Sequence, residues 1–173
     1  MNIQLILCVE ADKRAQTDNM YIKQTILRFY RIGNNVRLSF VNMCGKSNYK
    51  SNDVKRKIKQ LSQDYRIGST VVVYCIDLDD INTNPEQVKI NSEIDAYTKD
   101  KGYETIVFCR DIEEVFIGRR VDKREKTKLA IDFVKKGAVS DISEDKLNHP
   151  KERNGYSNIL LVLDKYLERC LSP

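Results

Sequence analysis

Residues 70–76 (TVVVYCI) form a run of seven apolar or β-branched residues in which polar and apolar positions do not alternate. A strand has this pattern when helices cover both of its faces, as in the parallel sheets of α/β proteins. Residues 3–9 (IQLILCV) form a second continuous run. Together the two runs predict the central strands of a parallel sheet.

Strand-like and helix-like segments alternate along the first two thirds of the chain. Weaker strand patterns occupy residues 36–43 and 104–109, and a short helix is expected directly after the latter. Helical spacing predicts helices over residues 19–32 with Asp18 as N-cap, from Ser51 or Asn52 to Tyr65, and from Asn84 and Pro85 to Gly102. This order predicts right-handed crossovers and an α/β fold whose parallel sheet has about four strands flanked by helices.

The 173 residues fit one domain, with a core over about residues 1–118 and a helical C-terminal extension over about 119–173. Residues 126–136 and 156–170 are expected to form helices that pack on the sheet. Residues 137–155 are predicted to be a long polar loop, a candidate lid or disordered segment. Since no apolar run approaches the roughly 18 to 20 residues that span a bilayer, and residues 1–10 lack a basic signal-like start, we expect a cytoplasmic protein without a membrane partner.

Cysteine and histidine usage argues against several classes of site. The five cysteines contain no CxxC pair, and Cys8, Cys75 and Cys109 lie in strand-like runs, where reduced cysteine behaves as a small hydrophobe. Cys44 is expected to be a buried structural cysteine as well; the alternative is a nucleophile. Because His149 is the only histidine, zinc sites and catalytic triads that need histidine are nearly excluded.

Both central strands end in acids. Glu10 follows the first run, and Asp77, Asp79 and Asp80 follow the third strand, with Glu113 just beyond the fourth. The carboxyl ends of parallel strands share one edge, where ligands bind in open α/β sheets, so Glu10, Asp77 and Asp79 are expected to meet there. Carboxylates held together favour a hard divalent cation, which predicts a Mg²⁺ or Mn²⁺ site. The alternative is an acidic loop that is merely solvated.

The formal charge of +5 makes a polyanionic partner plausible. Lys46 and the pair Arg119 and Arg120 are the candidate phosphate contacts, although Lys46 also fits a simple turn. The excess positive charge concentrates in two segments, which are solvated helix faces unless they bind a phosphate backbone: Lys55, Arg56, Lys57 and Lys59, and then Arg119, Arg120, Lys123, Arg124, Lys126 and Lys128.

An acid after the first strand and an acid-x-acid after the third, Glu10 with Asp77 and Asp79, resemble the Toprim fold over about residues 1–118. Within it, the chain is most similar to the small RloB-like branch and the OLD-type nucleases of bacteria. That branch has a Thr-Glu-x-x-Tyr-Phe segment and a Phe-Glu-Leu-Trp segment. The matching positions here are Thr17, Asp18, Tyr21 and Ile22, and then Ile112, Glu113, Glu114, Val115 and Phe116.

The resemblance implies metal-dependent cleavage of DNA or RNA in phage defence or restriction. It assigns Asp77 and Asp79 as metal ligands, Glu10 as a ligand or general acid/base, and Asp80 and Glu113 as further members of the metal site. Ala11 departs from the family, which has glycine after the first acid; an alanine there would crowd a phosphate that approaches the backbone closely. A chain of this size without a separate target-reading module also suggests a partner protein or a homodimer.

Three other functions remain open at this stage. Primase-like nucleotidyl transfer would use the same acids. A flavodoxin-like or receiver-like binding module also gathers acids at the sheet edge, but Glu10 and Asp12 are a poor version of a receiver's acid pair. A catalytically inactive Toprim domain would act by binding a partner and would hold Mg²⁺ poorly.

Overall fold

The computed structural model describes residues 2–79, 84–150 and 152–170. Within them, four strands form one parallel sheet in the order β2-β1-β3-β4. The strands are β1 (Ile3–Val9), β2 (Val36–Asn42), β3 (Ser69–Asp77) and β4 (Glu104–Phe108). The predicted α/β architecture is confirmed.

In the described residues, three helices connect the strands and four follow them. The connecting helices are α1 (Thr17–Phe29), α2 (Asn52–Asp64) and α3 (Pro85–Lys101). After β4 come α4 (Ile112–Ile117), α5 (Lys126–Lys135), α6 (Glu144–Leu147) and α7 (Ile159–Leu163), with 3₁₀ turns at Lys46–Asn48 and Ala138–Asp141. No helix in the described residues is long and apolar enough to cross a membrane.

The two central strands bury both faces, as their unbroken apolar runs predict. All seven residues of β1 are buried, and β1 pairs with β2 on one side and β3 on the other, with Leu7 opposite both Phe40 and Val73. Alternate side chains of β1 and β3 therefore enter two cores. One core lies under α1, α4, α5 and α7, and the other lies under α2 and α3.

Capping residues fix α2 and α3 where the sequence places them. The Ser51 side chain accepts a hydrogen bond from the Val54 amide, and the Asn84 side chain accepts one from the Glu86 amide. Pro85 occupies the first turn of α3, and Gly102 ends that helix with φ 65°.

Two predictions about the C-terminal part are wrong. The helix predicted over residues 156–170 is only Ile159–Leu163, because Ser157 forms an antiparallel bridge with Phe108, and Arg169 forms one with Tyr30. The region predicted as a polar loop, 137–155, contains the 3₁₀ turn and α6, whose Leu147 is fully buried.

Two further local predictions also differ from the structure. Helix α1 begins at Thr17 after Gln16, so Asp18 is not its N-cap. Cys44 is exposed instead of buried, because the chain turns there with φ 60° after leaving β2.

Candidate acidic site at the switch point of the sheet

The chain leaves the ends of β1 and β3 in opposite directions. From β1 it crosses by α1 to β2 on one side, and from β3 it crosses by α3 to β4 on the other. Such a reversal opens a crevice at the carboxyl ends of the two strands, which is where α/β sheets bind ligands. Glu10 directly follows β1 and Asp77 is the last residue of β3, so this crevice holds both predicted acids.

Glu10 and Asp77 are held together by hydrogen bonds to the main chain. Glu10 Oε1 accepts from the Asp77 amide at 2.8 Å. Asp77 Oδ1 accepts at 3.0 Å from the amide of Ile112, the first residue of α4. The backbone of two elements, β3 and α4, thus fixes the two carboxylates, which gives the site little freedom to rearrange.

Asp18 joins these acids from α1. Its Oδ2 accepts from the Ala11 amide at 2.9 Å, and its Oδ1 accepts from the Thr17 hydroxyl at 3.2 Å. Ala11 is not among the non-glycine residues with positive φ, so its backbone does not call for the glycine that the Toprim resemblance would place there.

Glu113, in the first turn of α4, is the fourth carboxyl of this group. Its side chain is 1% exposed, Oε2 pairs with Lys126 Nζ at 2.8 Å, and the buried Oε1 has no hydrogen-bond partner among the described residues. We call Glu10, Asp18, Asp77 and Glu113 the acid cluster.

Burial and mutual repulsion raise the pKa values throughout the acid cluster. Burial raises the pKa of Glu10 to about 8, against a hydrogen bond from the Asp77 amide and the charge of Lys46, which both lower it. The pKa of Asp77 lies well above its usual range, first because of burial and then because of Glu10 and Asp18. The pKa values of Asp18 and Glu113 are also raised, chiefly by burial. Protonation or an added cation would therefore offset the negative charge of the cluster at neutral pH.

Two lysines border the cluster. Lys46 is buried in the 3₁₀ turn after β2, and its Nζ donates to the Asp77 carbonyl at 2.7 Å and to Asp79 Oδ2 at 2.6 Å. Lys126 begins α5 and pairs with Glu113, and its charge is also felt by Asp18. Lys46, predicted as a phosphate contact, thus already holds the end of β3.

Asp79 has different neighbours from Asp77. Its backbone is left-handed, with φ 55°, so the alternation of an extended strand stops after Asp77. The Asp79 amide donates to the Arg110 carbonyl at 2.7 Å while its carboxylate turns to Lys46. Asp77 lies with Glu10 and Asp18, and Asp79 lies at the border of the site in an ion pair.

The remaining predicted residues lie elsewhere. Asp80 is outside the described residues. Arg119 and Arg120 are exposed in the segment between α4 and α5, where Arg119 Nη1 is 3.6 Å from Glu125 Oε2. Asp18 and Lys126 were missed as members of the site. Asp18 lies in the segment that resembles the Toprim family. That resemblance is the signal that could have identified Asp18 as a member of the site.

The chemistry of the cluster suits a hard divalent cation held by few protein ligands. In the part of the chain that the structure describes, no three acidic, histidine or cysteine side chains are arranged to hold a metal ion by themselves. Mg²⁺, however, is usually bound by one or two carboxylates, together with water and substrate phosphates. Glu10 and Asp77, neighbouring carboxylates with raised pKa values, fit that smaller ligand set.

Comparison of the chain with protein-family models, with curated proteins and with solved structures gave no significant match. Its function therefore has to be inferred from the geometry of this site.

Proposed function

We propose that the chain cleaves phosphodiester bonds in nucleic acid with the help of Mg²⁺ or Mn²⁺, as the resemblance to Toprim nucleases implies. The observation that carries the proposal is the pair of carboxylates, Glu10 and Asp77, fixed by hydrogen bonds at the switch point of the sheet. Glu10 contributes to the raised pKa of Asp77 by charge repulsion, and a cation bound between the two carboxylates would offset that repulsion.

Glu10 and Asp77 would hold the metal ion, with Asp18 adding negative charge behind them. Bound there, the ion would stabilise charge on the phosphodiester and lower the pKa of an attacking water. In the alternative assignment Glu10 is the general acid or base instead of a ligand, since its pKa of about 8 without a bound ion leaves both protonation states populated near neutral pH.

The two lysines have separate tasks in this proposal. Lys46 fixes the end of β3 through the Asp77 carbonyl and the Asp79 carboxylate, so it positions the acids. Lys126, which is partly exposed beside Glu113, adds a positive charge that favours the approach of a phosphate to an otherwise acidic crevice.

A receiver-like module is the second candidate, because the strand order 2-1-3-4 equals the first four strands of the flavodoxin-like order and Asp77 ends β3. Two features weigh against it. Asp12, the second acid of a receiver's pair, is exposed and accepts hydrogen bonds from its own loop at Arg14 and Ala15. Asp77 Oδ1 is already bound to the Ile112 amide.

Cleavage assays test the proposal directly. Labelled single-stranded and duplex DNA and RNA are incubated with Mg²⁺ or Mn²⁺ and the wild-type chain, Asp77→Asn or Glu10→Gln. Asp12→Asn is the matched control, an exposed acid of the loop that follows Glu10. We expect metal-dependent cleavage that Asp12→Asn retains and that the other two variants lose by about 100-fold or more.

Cleavage by Asp77→Asn at the wild-type rate would overturn the nuclease proposal. Incorporation of phosphate from acetyl phosphate into the wild type, lost in Asp77→Asn, would establish the receiver-like alternative instead. Calorimetric titration with Mn²⁺ adds a readout independent of turnover: the wild type should bind the ion, and Glu10→Gln should bind it at least tenfold more weakly.

A further inference from the structure

A groove of about 690 Å³ runs between α2 and α3 on the face of the sheet opposite α1. Lys55 and Lys59 stand on its α2 side, one helical turn apart, and Lys101 stands at the end of α3. Tyr97 and Tyr103 form part of its lining. The groove thus combines cations at its rim with aromatic rings inside.

The cations on the α2 side are available for a ligand. Lys55 and Lys59 are exposed and form no ion pair with any residue that the structure describes. The carboxylate nearest to them in sequence, Asp53, is occupied by Arg56 at 2.7 Å and Lys57 at 2.8 Å. Helix α2 carries four cations against two carboxylates, so its surface attracts an anion.

The carboxylate in the lining of the groove, Asp100, does not cancel the positive charge of the groove. Asp100 lies 3.2 Å from Lys101, so its charge is offset within the groove. Glu93 of α3 accepts a hydrogen bond from the Tyr49 hydroxyl at 3.3 Å. Among the described residues of the lining there are three lysines and one carboxylate, and that carboxylate is paired with Lys101.

The tyrosines are held rigidly, as a stacking platform requires. Tyr103 stacks on buried Tyr74 with ring centroids 6.0 Å apart, and Tyr97 meets both rings edge-on. The Tyr74 hydroxyl donates to the Tyr49 carbonyl at 2.8 Å, which anchors the whole group. Both Tyr97 and Tyr103 are only half-buried, so part of each ring faces the groove.

Side-chain contacts link the border of the acidic site to the groove. Lys46 binds Asp79 at that border, and Tyr49, three residues further along the chain, is buried with its ring 5.4 Å from that of Tyr97. Exposed Lys50 lies over the Tyr49 ring at 5.1 Å, so positive charge continues along this path.

We propose that the groove between α2 and α3 binds single-stranded nucleic acid, with phosphates at Lys55, Lys59 and Lys101 and bases against Tyr97 and Tyr103. Basic grooves with aromatic platforms bind single strands because unpaired bases can stack on the rings, whereas the bases of a duplex are already stacked. The proposal rests on the proposed function in one respect, namely that the bound strand is the substrate of the acidic site. Binding itself requires no cleavage.

The test measures fluorescence anisotropy of labelled single-stranded DNA and, in parallel, RNA in EDTA. The variant is Lys55→Gln with Lys59→Gln. The control is Lys23→Gln with Lys135→Gln, which removes two exposed lysines from α1 and α5 on the opposite face. Thermal melting verifies that both variants fold, as expected for exposed positions.

We expect the groove variant to bind about 25-fold more weakly than wild type at 0.1 M salt, and its logarithmic salt slope to fall by about 1.4, since each contact to a single strand contributes about 0.7. The control should bind within about twofold of wild type. A duplex of the same sequence should lose less affinity than the single strand. The DNA and RNA arms show which polymer is preferred.

Equal affinity of the groove and control variants for single strands would overturn the proposal, as would an equal loss for duplex and single strand. These results are independent of the nuclease proposal. A wild type that binds single strands through the groove but never cleaves them refutes the nuclease alone. A groove variant that binds and cleaves like wild type refutes the groove alone.

Discussion

The carboxylate of Glu10 accepts a hydrogen bond from the amide of Asp77 at 2.8 Å, joining the ends of the two central strands. This contact gives the acidic site a fixed geometry but keeps two carboxyls of raised pKa side by side. The stability of the fold and the chemistry of the site are therefore linked through the protonation of Glu10.

Replacement of Glu10 by Gln should make stability less dependent on pH. With a folded pKa of about 8, against a usual value of 4.5, Glu10 keeps its proton in the native state where the unfolded chain has lost it. Native protein then binds more protons between about pH 4.5 and 8, so wild-type stability falls as pH rises through that window. Gln has no proton to lose and still offers an acceptor to Asp77.

Melting temperatures in metal-free buffer from pH 5 to 9 measure this effect. The advantage of Glu10→Gln over wild type should grow steadily up to pH 8 and then level off. Glu93→Gln, at an exposed position, serves as the control and should follow wild type. A difference between Glu10→Gln and wild type that does not change with pH would contradict the raised pKa.

Loss of the Lys46 ammonium should destabilise the end of β3. Lys46→Met removes the donor to the Asp77 carbonyl and to Asp79, leaving these acceptors without their partner. An expected cost of about 1–3 kcal/mol follows from the loss of a charged hydrogen bond at a buried position. Urea denaturation measures it, with exposed Lys50→Met as a control that should change stability by less than about 0.5 kcal/mol. Equal effects of the two substitutions would show that the buried contact contributes nothing.

Replacement of Lys126 by Met should cost about 3 kcal/mol, because it leaves the buried carboxylate of Glu113 without its counter-charge. A second substitution, Glu113→Met, should then restore part of the lost stability. The free energy of unfolding of the single and double variants, arranged as a double-mutant cycle, measures the coupling. Strictly additive costs would mean that the two residues do not stabilise each other.

Substitution of Gly68 by Ala should disturb the start of β3. A Cβ at Gly68 would lie 2.1 Å from the backbone oxygen of Asn2, which accepts from the Ser69 amide. Displacing this backbone is expected to cost about 1–3 kcal/mol, as overpacking does. Gly33→Ala is the control, since among the described residues its Cβ would meet only the Asn35 side chain, at 2.9 Å. Comparable melting temperatures for the two variants would refute the close approach.

The features that the sequence predicts well depend on local or strongly periodic signals. Strand β1 was predicted with its observed bounds because every residue is buried, and α3 because Asn84, Pro85 and Gly102 mark its ends. The helix predicted over residues 156–170 failed because Ser157 bridges to Phe108. The Asn158 side chain accepts a hydrogen bond from the Val107 amide and donates one to the Thr105 carbonyl at the outer edge of β4. These residues are far apart in sequence, so no local pattern predicts the contact.

The same distinction applies to the acidic site. The meeting of Glu10 and Asp77 follows from the rule that parallel strands end at one edge, and that rule needs only the order of the elements. Lys126 reaches Glu113 because of the packing of α5 on α1, which no short motif encodes. The pairing of Asp79 with Lys46 depends on a left-handed turn at an aspartate, which the apolar pattern of β3 does not reveal.

The position of β1 at the centre of the sheet has a consequence during synthesis. This strand is synthesised well before one of its two partners, β3, which begins only at Ser69, sixty residues after Val9. At about 5–20 residues per second, one edge of β1 lacks its partner for roughly 3 to 12 s. A nascent chain of this length exposes an apolar strand edge, so translation pauses before residue 69 should increase aggregation and chaperone dependence of this protein.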